Sequence, residues 1–205
     1  IKNLVFLGLI AIKDELRDEA KEGVSLIRSA GINMIMITGD AKETAESIAS
    51  DAGLLDKEDI VLTSEELAKL SDEEIKKIAG NLKVVARALP TDKSRLVRIL
   101  EEMDLIVGMT GDGVNDAPAL KKANVGFAMG SGTEVAKEAA DIVILDDNIL
   151  SISKAILYGR TIFKSIRKFI IYQLTVNMCA LILSIIGPFI GINTPITIIQ
   201  MLWIN

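Results

Sequence analysis

The chain has 205 residues, half of them hydrophobic, and a formal net charge of −5. That is long enough to bury a core in one or two domains, and no basic cluster is large enough to bind nucleic acid. The absence of histidine excludes histidine bases and histidine metal ligands, and the single cysteine, Cys179, excludes a disulfide framework or a zinc site.

Hydrophobicity is unevenly spread. The first 150 or so residues mix charged and apolar side chains as an α/β domain does, whereas 169–190 is a run of about 22 residues without charge, enough to span a bilayer. In chain order, Leu4 to Ile10 reads as a buried strand. Asp14 and Arg17 open a helix with Leu16, Ala20, Val24 and Ile27 on one face, and Gly31 ends it. Asn33 to Ile37 is the next strand. It runs into Thr38-Gly39-Asp40 and a helix, and a small hydroxyl residue and a glycine at a helix start make a phosphate cradle. Asp40 could also serve only as a helix cap.

Residues 56–82 are polar and rich in Glu and Lys. Ser64 and Ser71 are expected to cap two short helices, and the segment is assigned no chemistry. Val84 to Ala86 is a strand, followed by Pro90-Thr91-Asp92-Lys93 and a helix carrying Leu96, Ile99, Leu100 and Met103. Lys93 sits at a helix start, where a cation gains nothing from the helix dipole, so its place makes sense beside a bound anion.

The chain is organised around Met109-Thr110-Gly111-Asp112-Gly113-Val114-Asn115-Asp116-Ala117-Pro118-Ala119-Leu120. Leu105 to Met109 is expected to be a buried strand. Asn115 or Asp116 is expected to cap the helix that follows, with Pro118 in its first turn. Acids at the carboxyl end of a strand lie where open α/β sheets place ligands. Asp112 and Asp116 suit a hard cation such as Mg²⁺, and Asn115 can donate hydrogen bonds to a phosphoryl oxygen. Val125 to Met129 and Asp141 to Asp147 complete the strands, and the turn Gly130 to Thr133 is read as structural.

From Ile149 a helix is expected to run unbroken as a stalk into the bilayer, until Gly187 and Pro188 end or kink it. Arg160, Lys164, Arg167 and Lys168 precede the uncharged run and put that end on the cytoplasmic side. Gln173, Thr175 and Asn177 are polar within the span. They face either a cation path or neighbouring helices.

The stretch 109–120 resembles the hinge motif of P-type ATPases, the cation pumps that form an aspartyl-phosphate. Thr38-Gly39-Asp40 and Pro90 to Lys93 are similar to two further elements of that family, in the same order. Asp14-Glu15-Leu16-Arg17 matches the family's Asp-Pro-x-Arg corner only at Asp14 and Arg17. Gln173 to Asn177 looks like the fifth membrane helix of calcium pumps of the plasma-membrane type, and Gln200 to Asn205 like the start of their sixth.

The resemblance implies a haloacid-dehalogenase-type, Rossmann-like parallel sheet (α/β), incomplete at its central strand, followed by a long stalk and transmembrane α-helix. Its implied divisions are the C-terminal part of a phosphorylation domain at 1–150, a stalk at 151–168, a span at 169–191, a loop at 192–195 and the start of another span at 196–205. It implies catalytic roles for Thr38, Gly39, Asp40, Lys93, Asp112, Asn115 and Asp116. Asp112 and Asp116 would form the Mg²⁺ site, and Asp14, Arg17, Thr38 and Lys93 would contact the nucleotide and its phosphates. Asn177 and Asn205 would be ligands of a transported cation.

ATP would be the substrate, and calcium export from a cell membrane the activity, with residues 1–168 on the cytoplasmic side. Partners would be the remainder of the same pump (nucleotide-binding domain, actuator domain and other membrane helices), the lipid bilayer and the cation. The family's phosphorylated aspartate lies in an Asp-Lys-Thr-Gly-Thr motif that this sequence does not contain. The chain is therefore expected to be an internal piece of a larger protein and inactive alone. Two alternatives are a membrane-anchored phosphatase of the haloacid-dehalogenase type and a non-catalytic regulatory piece.

Overall fold

The computed structural model describes residues 16–192, together with Gly8 and Thr197. The expected strand Leu4 to Ile10 (apart from Gly8), Asp14 and Asn205 lie outside the described residues. The chain divides into two compact units, Ile1–Ser153 and Lys154–Asn205.

In the first unit every strand pairs parallel to its neighbour, in two three-stranded sheets. The first holds β1 (Met36–Ile37), β2 (Ile60–Thr63) and β3 (Leu82–Ala86) in the order β1-β3-β2. The second holds β4 (Gly108–Gly111), β5 (Val125–Met129) and β6 (Ile142–Ile144) in the order β4-β5-β6. Among the described residues, β1, β2, β4 and β6 each therefore keep one edge without a partner strand.

Helices α1 (Asp18–Ser29) and α2 (Lys42–Asp51) bury Val24, Ala45 and Ala49 against Val84 and Ala86 on one face of the first sheet. Helices α3 (Ser64–Lys69), α4 (Asp72–Ile78) and α5 (Pro90–Glu101) bury Leu67, Ile75, Leu96 and Ile99 against Leu82 and Val85 on the other. Val85 separates from Val84 and Ala86 because successive strand side chains point to opposite faces, and Leu82 joins Val85 because the register shifts between Ile60 and Val61, which pair with Leu82 and Val84. Val97 of α5 enters a third cluster, with Met109 of β4 and with Leu120 from α6 (Ala117–Lys122). Ala136 of α7 (Glu134–Ala139) joins that cluster. One helix thus packs on both sheets.

Several boundaries differ from the sequence expectation. The first sheet strand starts at Met36, where pairing with Val84 begins, and before it the Asn33 side chain donates to the Ala79 carbonyl at 3.0 Å. The stretch 56–82 contains a strand as well as its two helices, since Ile60-Val61-Leu62 pairs with β3. Thr63, not Ser64, caps α3, in a reciprocal pairing with Glu66; Ser71 does cap α4, with Glu74. The last strand expected from Asp141 to Asp147 narrows to Ile142–Ile144.

The strand expected at 105–109 begins at Gly108. Asp104 turns left-handed at φ 58°, and the Leu105 N–H bonds back to the Leu100 carbonyl. Leu105 and Ile106 therefore belong to the exit of α5, and Ile106 is 83% exposed.

Helix α8 runs unbroken for 38 residues, Ile149–Ile186, and passes into a 3₁₀ turn at Gly187–Ile190. Gly191 closes that turn at φ 85°, a left-handed conformation that glycine adopts without a Cβ clash. This segment is long and apolar enough to cross a membrane. At the helix start a packing demand appears that the sequence alone hides. A Cβ on Gly23 of α1 would lie 2.6 Å from Ile149 Cγ2 and 3.1 Å from the Leu150 nitrogen. Glycine is unfavourable inside a helix, so it marks a place where the two backbones must approach.

Candidate functional site

The carboxyl end of β4 is built by Asp116. Its Oδ2 accepts the N–H groups of Asp112 at 3.3 Å and Gly113 at 3.2 Å, drawing the loop into a tight turn. Gly111 is required here, because a Cβ at that position would lie 2.4 Å from the Asp116 Cβ. The other oxygen, Oδ1, accepts from Lys93 Nζ at 2.5 Å. Asp116 is only 6% exposed, so its charge is compensated by one cation and two N–H dipoles rather than by water. Asp116 occupies the start of α6 but makes no side-chain cap to it, since its carboxylate points back to the turn. The Thr133 N–H donates to the Asp112 carbonyl at 2.8 Å and fixes the loop from the other side.

Asp112 and Asn115 are exposed. The Asp112 carboxylate has no hydrogen bond or ion pair among the described residues. No group of three or more His, Cys, Asp or Glu forms there that could enclose a metal. Mg²⁺ needs no such cage, since it commonly takes one or two carboxylates and completes its shell with water and phosphate oxygens. A free Asp112 on an immobilised turn fits that demand. Asp116, with both oxygens engaged, fits a supporting place beside the metal rather than a direct one.

Lys93 is held in position by its neighbours. Buried Asp92, 7% exposed, accepts from the Leu89 N–H at 2.8 Å and from the buried Ser64 hydroxyl at 2.6 Å. The start of α5 is thereby fixed to α3. This role of Asp92 was not foreseen, although an acid three residues beyond a helix start is a recognisable capping signal.

Thr38-Gly39-Asp40 forms the carboxyl end of β1. Thr38 Oγ1 donates to Asp40 Oδ2 at 2.7 Å, while the Asp40 N–H bonds Oγ1 at 3.2 Å. Asp40 does not cap α2, whose N-cap is Ala41. The loop is tied to the end of β3 through Ala88 N–H to the Thr38 carbonyl and Arg87 N–H to the Asp40 carbonyl, both 2.9 Å. Arg87 takes φ 50° to make this turn.

The structure thus brings Lys93, Asp112 and Asp116 together through direct bonds. It places Thr38 on the other sheet, at the end of β1, which among the described residues is an edge strand as β4 is. Arg17 is exposed at the start of α1, and Asn177 is exposed on α8 in the second unit.

On the opposite side of the turn, the Asp147 carboxyl is held below the usual carboxylate range, first by the Ser131 side chain and then by the Ser131 N–H. The Asp147 Oδ1 accepts that N–H at 3.0 Å, which ties the end of β6 to the Gly130–Thr133 turn.

A family profile for haloacid dehalogenase-like hydrolases matches residues 3–124. The chain is 45% identical over 99% of its length to Calcium-transporting ATPase 2 of Schizosaccharomyces pombe. It is 44% identical over 100% to putative calcium-transporting ATPase 13, plasma membrane-type, of Arabidopsis thaliana, and 42% over 99% to Calcium-transporting ATPase 1 of Lactococcus lactis. It spans 16%, 21% and 23% of those three proteins. Among solved structures, a zinc-transporting PIB-type ATPase in its E2.Pi state matches with a TM-score of 0.68 at 30% identity, over 85% of this chain and 24% of that one. The chain belongs to the haloacid dehalogenase-like hydrolases, in the form that P-type ATPases carry.

Proposed function

We propose that the chain supplies the metal and phosphate-charge side of an ATP-driven cation pump that works through an aspartyl-phosphate. The observation that carries this is the turn at the end of β4. Asp116 is locked between Lys93 and two backbone N–H groups, so that Asp112 is presented rigidly with its carboxylate free. Such fixed charge is what phosphoryl transfer requires, because catalysis there is mostly positioning and electrostatics.

In the working pump, Asp112 would hold Mg²⁺, with Asp116 in support. When bound, the metal neutralises charge on the transferring phosphoryl group. Lys93, the Thr38 hydroxyl, the Gly39 N–H and the Asn115 carboxamide would compensate charge on the phosphoryl oxygens, while Asp40 orients Thr38. Asp14 and Arg17 would lie towards ATP. The phosphorylated aspartate, the nucleotide-binding and actuator domains and further membrane helices would come from the rest of the pump.

Calcium is the proposed cation, since the yeast, plant and bacterial relatives are named calcium-transporting ATPases. Asn177 and Asn205 would serve as uncharged ligands on its path. Helix α8 would cross the cell membrane with residues 1–168 on the cytoplasmic side, in line with the cations at 160–168.

The test is phosphoenzyme formation from labelled ATP by the full-length protein with calcium, sodium, potassium or Mg²⁺ alone. An acid-stable phosphoenzyme that needs calcium in the micromolar range is expected. Dependence on another ion would remove the calcium assignment. Absence of a phosphoenzyme under every ion, with hydrolysis of small phosphate esters, would favour the membrane-anchored phosphatase.

A further inference from the structure

The turn Gly130-Ser131-Gly132-Thr133 reads from the sequence as structural, and the site described above uses none of its side chains. Its glycines do not serve backbone conformation, since neither has a positive φ. They serve close approach. A Cβ on Gly132 would lie 2.9 Å from the Asp112 carbonyl oxygen and 3.0 Å from the Asp112 Cα. A Cβ on Gly130 would lie 2.9 Å from both the Cα and the carbonyl oxygen of Leu145. The turn is therefore wedged, main chain against main chain, between the end of β4 and the segment that follows β6. Hydrogen bonds fix it on both sides. The Thr133 N–H donates to the Asp112 carbonyl at 2.8 Å, and the Gly130 N–H donates to the Ile144 carbonyl at 2.7 Å. Behind it, Asp147 Oδ1 accepts the Ser131 N–H at 3.0 Å.

The wedge presses on the one residue of the site whose side chain is exposed and open. Nothing bonded to the Asp112 carboxylate within the described residues sets its position, so its main chain must do so. Asp116 holds that main chain at the Asp112 N–H, and the turn holds it at the carbonyl. Mg²⁺ demands near-ideal octahedral geometry, with ligands at about 2.0–2.1 Å. A ligating group has to be held within about 0.5 Å of its productive place. Ordinary van der Waals contact begins at 3.4 Å, so an alanine at position 132 has to open a 2.9 Å contact to at least that distance. The shift at Asp112 is then as large as the whole tolerance. We propose that Gly132, backed by the bond from Ser131 to Asp147, is a positioning residue for the Asp112 carboxylate, which makes the turn a working part of the Mg²⁺ site. This rests on the reading of Asp112 as the metal's ligand.

The test titrates Mg²⁺ into the full-length protein with inorganic phosphate present. It follows hydrogen exchange of residues 109–116 alongside phosphoenzyme formed from that phosphate. The Mg²⁺ concentration that half-protects these amides is expected to rise about tenfold in Gly132→Ala, the low end of what losing an outer support costs in metal affinity. Phosphoenzyme should recover at saturating Mg²⁺. Asp147→Ala, which removes the acceptor of the Ser131 N–H, is expected to shift the midpoint in the same direction, and Asp147→Asn, which keeps an acceptor oxygen, to stay near the parent. Ile75→Val trims the core of the first sheet, away from the turn, and should leave the midpoint unchanged. If Gly132→Ala does not fold, the contrast between the two Asp147 variants decides. An unmoved midpoint in Gly132→Ala and Asp147→Ala, or an equal rise in Ile75→Val, would overturn the proposal. An unmoved midpoint in Asp112→Ala would instead remove the metal assignment itself, and the proposal with it.

Discussion

Both carboxylate oxygens of Asp116 are engaged within the chain, while the carboxylate of Asp112 is open, so two acids of one motif stand in divided surroundings. Asp112→Ala is expected to lower the rate of phosphoenzyme formation at least about 10²-fold, the scale of losing one placed electrostatic group. Hydrogen exchange of the β4 amides should be unchanged, because nothing in the fold depends on its carboxylate. Asp116→Asn is expected to act on both. It leaves Lys93 without its partner, and breaking a buried pair costs about 3–5 kcal/mol. Lys93 keeps 20% of its side-chain surface, which places the expected loss near the low end. Faster exchange of the Asp112 and Gly113 amides in Asp116→Asn, beside normal exchange in Asp112→Ala, is the pattern to look for. This division was legible in part. Sequence placed both acids at a strand end, but the direction of Asp116 follows from contact with Gly111 and Lys93, which spacing does not encode.

At the level of elements, α3, α4 and α5 are joined by charge. Asp72 of α4 accepts from Arg98 at 2.5 Å and from Arg95 at 2.7 Å, and Arg95 also donates to the terminal carbonyls Leu67 and Leu70 at the end of α3. Arg98 first, then Arg95, hold the Asp72 carboxyl below its ordinary value. A depressed folded-state pKa contributes stability that is present above the unfolded value, about 4, and lost as pH falls through the folded one. Arg98→Gln is therefore expected to be less stable than the parent at neutral pH, with the difference shrinking towards strong acid; urea unfolding at several pH values measures this. Gly23→Val is expected to loosen the seat of Ile149 by about 1–3 kcal/mol through overpacking, read as faster exchange of the α1 amides. The helices on either side of β3 were foreseeable from apolar periodicity and capping acids. Strand β2 was not, because three apolar residues in a Glu- and Lys-rich segment carry little pattern until β3 lies beside them. Nor was the start of β4, where Leu105 and Ile106 look like strand but serve the turn out of α5.

Among the described residues of the first unit each three-stranded sheet has two edge strands, β1 and β2 in one and β4 and β6 in the other, and the strand ends carrying Thr38 and Asp112 belong to the edge strands β1 and β4. Unpaired backbone groups exchange readily unless another strand covers them. In the full-length protein the amides of β1 and β4 are expected to be protected nearly as well as those of β3 and β5, while in the 205-residue chain alone they should exchange faster. Equal protection in both would mean that no further strand enters between the halves. What holds the halves together meanwhile is α5, whose neighbouring residues Leu96 and Val97 enter different cores. This has an evolutionary corollary. Two positions adjacent in sequence answer to separate sets of neighbours, so side-chain volume at 96 should vary across relatives in concert with 67 and 75, and at 97 with 109 and 120. Position 93, one turn earlier, should change only together with position 116.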